Sequence, residues 1–141
     1  MSSPFFLDTN VLVYASLQPD LRSEAARVLL ARRGMISVQV LNEFANVARR
    51  KLHRTWPEIT TALQAIRVLC LPPLRLTLPI HEAALEIAAR TGYQFYDALI
   101  IAAALKAGCT TLFSEDLQDG QVINGGLTIR NPFAPAKWMP C

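Results

Sequence analysis

A three-layer α/β/α domain around a short central, mainly parallel sheet is what three features of the sequence predict. Short apolar runs, Pro4–Asp8 and Thr110–Phe113 among them, alternate with longer stretches of helical period. The interiors of those runs are apolar without alternation, as in strands buried on both faces. The 141 residues, 52% of them from the AVILMFWYC set, are enough for one domain, 1–141, with a sizeable core.

Each element has a local reason. Pro4 to Asp8 is a short buried strand, and Thr9 to Ser16 a helix broken by Gln18-Pro19-Asp20. Asp20 is placed to cap a second helix that runs through Arg33, with Leu21, Ala25, Val28 and Leu29 at helical spacing and Gly34 as its stop. Met35-Ile36 makes a very short strand, and Ser37 caps a third helix over roughly 38–53. Glu58 lies three residues after Thr55, which is capping-box spacing, and opens a fourth helix that lasts to about Cys70 before Leu71-Pro72-Pro73 stops it. Leu74 to Leu76 is a candidate strand. A fifth helix starts near Pro79 and ends at Gly92, and a sixth runs from about Tyr96 to Ala107, its apolar stretch 98–105 at the centre of the domain. Thr110 to Phe113 is a strand, Ser114 to Gly126 a turn-rich stretch, and Leu127 to Arg130 a last strand.

Composition narrows the function. The longest apolar run, Ala98 to Leu105, is too short to span a bilayer, so no membrane segment is expected. The start of the chain lacks a basic region ahead of an apolar segment, which argues against a secretory signal. Cys70, Cys109 and Cys141 are odd in number and far apart, without zinc spacing, and fit a reducing, cytoplasmic setting. The formal charge is +3 and the pI near 9.0. If four of the eleven acids share a cleft, seven remain against fourteen bases, about +7 elsewhere, and a surface of that sign suits a nucleic acid.

Four acids stand out. Asp8 ends the first strand, Glu43 lies in the third helix within "VLNEFANVARR", Asp97 in the first turn of the sixth within "FYDALIIAAA", and Asp116 follows the strand that ends at Phe113. A carboxylate amid apolar neighbours is costly to bury as an ion unless it is paired or bound to metal. Ligands of open parallel sheets collect beyond the carboxyl ends of the strands, where Asp8, Asp97 and Asp116 would meet. Each acid also has a plain structural role open to it. Asp8 could cap the helix at Thr9, Asp97 could complement a helix dipole, Glu43 could be solvated and Asp116 could serve a turn, with Asp119 an equal candidate on composition.

The segments "FLDTNVLVYA", "NEF", "YDALIIAAA" and "LFSEDLQDG", in this order and with 35, 54 and 19 residues between the acids, resemble the successive motifs of PIN-domain nucleases. At this size the likeness is to VapC-type toxins of bacterial toxin–antitoxin pairs. The resemblance implies a divalent-metal-dependent endoribonuclease with Asp8, Glu43, Asp97 and Asp116 as ligands for magnesium or manganese. Thr9, Asn10 and Ser114 would stand behind them to orient a carboxylate or a water. It also implies a homodimer, an RNA substrate and a small antitoxin partner. Hard cations favour such oxygen donors, and metal-assisted hydrolysis needs no protein nucleophile.

Arg49, Arg50, Lys51 and Arg54 crowd the end of the third helix, where they could contact substrate or equally complement the helix dipole. Arg50, seven residues after Glu43, shares its face. Arg22, Arg27, Arg32 and Arg33 are expected to be solvated or to face a partner. Trp56 and Trp138 are expected in the core or an interface, and His53 and His81 have no second histidine at ligand spacing. Two other functions compete. A catalytically silent RNA-binding module of the same fold is disfavoured by the retained acids, and a phosphotransferase using Asp8 as nucleophile by Asn10, where such enzymes carry a second Asp.

Overall fold

The computed structural model describes residues 3–133, so Trp138 and Cys141 lie outside the described residues. Four strands and six helices follow one another as β1 (Phe5–Leu7), α1 (Thr9–Ser16), α2 (Ser23–Ala31), α3 (Val38–Arg50), α4 (Trp56–Leu69), α5 (Leu78–Thr91), α6 (Phe95–Lys106), β2 (Thr111–Phe113), β3 (Val122–Ile123) and β4 (Leu127–Arg130). The sheet order is β1-β2-β4-β3, with β1, β2 and β4 parallel and β3 antiparallel at the edge. The α/β expectation holds.

The core is apolar and continuous. Phe6, Leu7, Leu112, Leu127 and Ile129 from the strands, Phe44 from α3, and Ile100 and Ile101 from α6 are fully buried. α6 is buried from Ala98 through Ala104, as its unbroken apolar run predicts. Among the described residues no helix is long and apolar enough to cross a membrane.

Local chemistry explains the helix starts. Ser37 accepts from Val40 N and caps α3. Thr55 accepts from Glu58 N while the Glu58 carboxylate accepts from Thr55 N, a complete capping box for α4. Thr77 caps α5 through Ile80 N.

Other details differ from the sequence expectation. α2 begins at Ser23, not at Asp20, because Asp20 Oδ1 accepts from Arg22 N and closes a turn ahead of the helix. Arg33, not Gly34, takes the left-handed conformation after α2, at φ 60°. Gly34 is needed for space: a Cβ there would lie 2.7 Å from Leu7 Cδ1 and 2.8 Å from Phe5 Cε2. Met35 and Leu74 form only isolated parallel bridges, Met35 to Phe6 of β1 and Leu74 to Ser37, so the strands expected there shrink to single pairings. The turn-rich stretch contains β3, joined to β4 by a turn with Asn124 and Gly125 both at positive φ. Trp56 is not in the core: it is exposed, with the Arg49 guanidinium 4.9 Å from its ring centre. His81 meets the Phe95 ring edge-on.

Candidate active site

The site begins where β1 and β2 end. Leu7 pairs with Phe113 in parallel register, and Asp8 N continues the ladder to Phe113 O at 3.0 Å. Asp8 and Ser114 therefore emerge side by side. Ser114 Oγ donates to Asp8 Oδ2 at 2.6 Å, and Thr9 N donates to Asp8 Oδ1 at 2.7 Å. Asp8 thus caps α1 and also lines the cleft that opens there.

Asn10 joins the parts. Its amide nitrogen lies 3.5 Å from Asp8 Oδ2, 3.4 Å from Ser114 Oγ and 3.3 Å from Asp116 Oδ2, while its Oδ1 accepts from Glu115 N at 3.2 Å. One side chain ties the first acid to the loop that carries the late one. A second tie comes from Arg22, expected to be solvated or partner-facing. Its guanidinium bridges Asp20 and Glu115, at 2.7 and 2.8 Å, and lies 4.0 Å over the Tyr14 ring.

Asp8, Glu43, Asp97 and Asp116 line one cleft of about 230 Å³. α3 packs against α1 and α6, which brings Glu43 to the other three. Asp119 is not among the lining residues, and its Oδ1 accepts from Asn131 N; of the two late acids, Asp116 lines the cleft.

The electrostatics record this crowding. Burial pushes the Asp8 carboxyl up from 3.8 to about 6. The bonds from Ser114 and Thr9 work against that, and Asp97 and Asp116 add to it. Burial likewise raises Glu43 from 4.5 to about 7, against the Gln39 amide 3.0 Å away and with the help of Asp8, Asp97 and Asp116. Asp97 is also raised, by burial first and then by Asp116. Burial is the largest cause in all three, and the neighbouring carboxylates add to it.

Among the described residues no three of His, Cys, Asp and Glu are gathered tightly enough to hold a metal ion as they stand. The acids line the cleft without closing into a cage. The donor set fits a hard dication: four carboxylates, together with the buried Thr9 hydroxyl, which has no hydrogen-bond partner among the described residues.

Of the bases expected to meet substrate, Arg49, Arg50 and Arg54 do not line the cleft. Arg54 Nη2 donates to Leu17 O at 2.7 Å, and Arg49 Nη1 to Arg54 O at 3.1 Å. Lys51, from the same crowd of bases, does line the cleft, together with Tyr14 and Gln18. Helical spacing was the available signal: the four-residue step from Asn10 to Tyr14 in α1 continues to Gln18 just past its end, and that from Glu43 to Val47 in α3 continues to its C-cap, Lys51.

An acid-lined cleft at the carboxyl edge of a small, mostly parallel sheet defines the class as an α/β domain built around a carboxylate site. The sequence matches the PIN domain family over residues 5–118, and the chain belongs to that family. Among solved structures it is similar to VapC20 of Mycobacterium tuberculosis, described as a sarcin–ricin loop cleaving toxin. The two share 26% identity at a TM-score of 0.65, over 79% of this chain and 91% of that one. A toxin–antitoxin complex from Klebsiella pneumoniae matches at 19% identity and TM-score 0.68, over 93% and 98% of the two chains. VapBC2 of Rickettsia felis, bound to a DNA fragment from its promoter, matches at 19% identity and TM-score 0.64, over 90% and 98%. At 19% these two show likeness of fold. No curated protein matches the sequence.

Proposed function

We propose that the protein is a divalent-metal-dependent endoribonuclease and the toxin of a toxin–antitoxin pair. One observation carries the reading: Asp8, Glu43, Asp97 and Asp116 come from four different parts of the chain and line one cleft, where they perturb one another. Membership of the PIN family and the likeness to a toxin that cleaves RNA support it.

Asp8, Glu43 and Asp97 are the ligands for magnesium or manganese in this reading, with Asp116 reaching the ion or its water. Bound there, such an ion supplies an activated water and charge neutralisation at the phosphate. The chain's own part is placement. Ser114 and Thr9 N fix the Asp8 carboxylate through its two oxygens. Asn10 holds Asp116 toward Asp8, and Gln39 holds Glu43. The Thr9 hydroxyl, without a partner among the described residues, is available to a water in the cleft.

The partners follow the same reading. RNA is the substrate. An antitoxin finds an apolar groove of about 750 Å³ beside α2 and α4, lined by Leu17, Leu30, Ala62, Ala65 and Leu69. A homodimer has Leu78 and Leu85, exposed and seven residues apart on α5, as an apolar stripe.

Incubation of the purified protein with RNA and manganese tests the activity. The wild type is expected to cut, and Asp97→Asn and Glu43→Gln are expected not to. Cleavage that survives both substitutions, or that persists in chelator, would overturn the proposal.

A further inference from the structure

Among the described residues that line the carboxylate cleft, Lys51 alone is cationic. It caps the C-terminus of α3, its N–H bonded to Val47 O, and its side chain is exposed. Four acids share its cleft, yet among the described residues it makes no ion pair or hydrogen bond through its ammonium. A lysine serving to neutralise those acids would sit against one of them. This one is left free for an anion arriving from outside.

Its position is built by its neighbours. Arg54 Nη2 is bonded to Leu17 O, and Arg54 N to Ala48 O at 3.0 Å, so the loop after α3 is fastened both to the end of α1 and to α3 itself. Gln18, next to Leu17, lines the cleft with Lys51. Arg49 is occupied by Arg54 O and the Trp56 ring. Two of the bases in the "ARRKLHR" segment therefore shape the backbone, and a third, Lys51, is delivered to the cleft. Lys51 lies eight residues beyond Glu43, roughly 12 Å along the helix axis. A phosphate it holds is thus a neighbour of the one at the carboxylates.

We propose that Lys51 is the substrate contact of this cleft, binding a backbone phosphate that flanks the scissile one, and that Arg54 is a positioning residue that sets Lys51 against α1. This rests on the ribonuclease reading and adds the residue that holds the strand. A single-stranded RNA oligonucleotide is the probe, bound in the cleavage-inactive Asp97→Asn background across a salt series. Each phosphate contact by a base contributes about 0.7 to the slope of log affinity against log salt. Lys51→Gln is expected to lower the slope by about that amount, while Lys51→Arg restores it. With Asp97 intact, Lys51→Gln raises KM several-fold and leaves kcat within about twofold, the pattern of lost uniform binding. The melting temperature of Lys51→Gln stays at the wild-type value, whereas Arg54→Ala lowers it. An unchanged slope and KM in Lys51→Gln would overturn the proposal and leave the ribonuclease reading standing if the wild type cuts. A loss of slope in Arg54→Ala without one in Lys51→Gln would overturn it in favour of Arg54 as the contact. A wild type that neither binds nor cuts RNA would remove both.

Discussion

Replacing Asp8 by Asn should make the metal-free protein more stable, although Asp8 accepts hydrogen bonds from Thr9 N, Ser114 Oγ and, at 3.5 Å, Asn10 Nδ2. The Asp8 carboxyl is buried and raised from 3.8 to about 6. At about 1.36 kcal/mol per pKa unit, ionising it near pH 7.5 costs the folded state about 3 kcal/mol. The sign follows from proton binding. Between pH 4 and 6 the folded chain holds a proton that the unfolded chain has released, so this contribution to stability is present at low pH and lost as pH rises through about 6. Asn has no charge to bury and still caps α1 through Thr9 N. It cannot accept the Ser114 hydroxyl as the carboxylate does, at a cost of about 1 kcal/mol. The net gain is about 2 kcal/mol near pH 7.5, or roughly 7 °C in melting temperature for a chain of this size. Near pH 4.5 only about 1 kcal/mol of the ionisation cost remains, so the gain there falls to about zero. Thermal denaturation of both proteins in chelator at the two pH values is the assay. A destabilised variant at pH 7.5, or a gain of equal size at both, would refute the reasoning that repelling, buried carboxylates tax the apo fold.

The other predictions concern the same site and its support. Since Glu43 is raised to about 7 and Asp8 to about 6, manganese must displace protons, so affinity should climb between pH 6 and 8. Calorimetry in buffers of different ionisation enthalpy should show proton release; a flat pH profile would contradict the shifts. Asn10→Ala should weaken manganese binding about 10–100-fold, by freeing the 114–116 loop, while the protein stays folded. Wild-type affinity in that variant would show that the amide bridge is idle. Gly34→Ala should cost about 1–3 kcal/mol in urea denaturation, because its methyl meets Leu7 and Phe5, and a neutral result would mean that the β1 region yields.

What the sequence made legible was whatever local chemistry decides. The Thr55 and Glu58 pair announced α4, Ser37 announced α3, and the unbroken apolar run 98–105 announced a buried helix. The two-residue β3 was illegible because so short a strand has no period; only pairing with β4 defines it. Gly34 looked like a helix stop, but its need is tertiary: two side chains from β1 fill the space where a Cβ would be. The acids divide in the same way. Asp8 and Asp97 were placed by the ends of their own elements. Glu43 needed the path of α3, and the choice of Asp116 over Asp119 needed the bond from Asn131 N to Asp119. Arg50 shared a face with Glu43 by count, yet the cleft lies toward the i+4, i+8 side, where Val47 and Lys51 project.

Manganese titration of the purified wild type near pH 7.5, followed by calorimetry and by melting temperature, tests most directly whether these four carboxylates form one cation site. Saturable binding with a rise in melting temperature is expected. Glu43→Gln and Asp97→Asn should each lose both, and Asp119→Asn should keep the binding. Absence of saturable binding in the wild type, or binding untouched by Glu43→Gln and Asp97→Asn, would contradict the account.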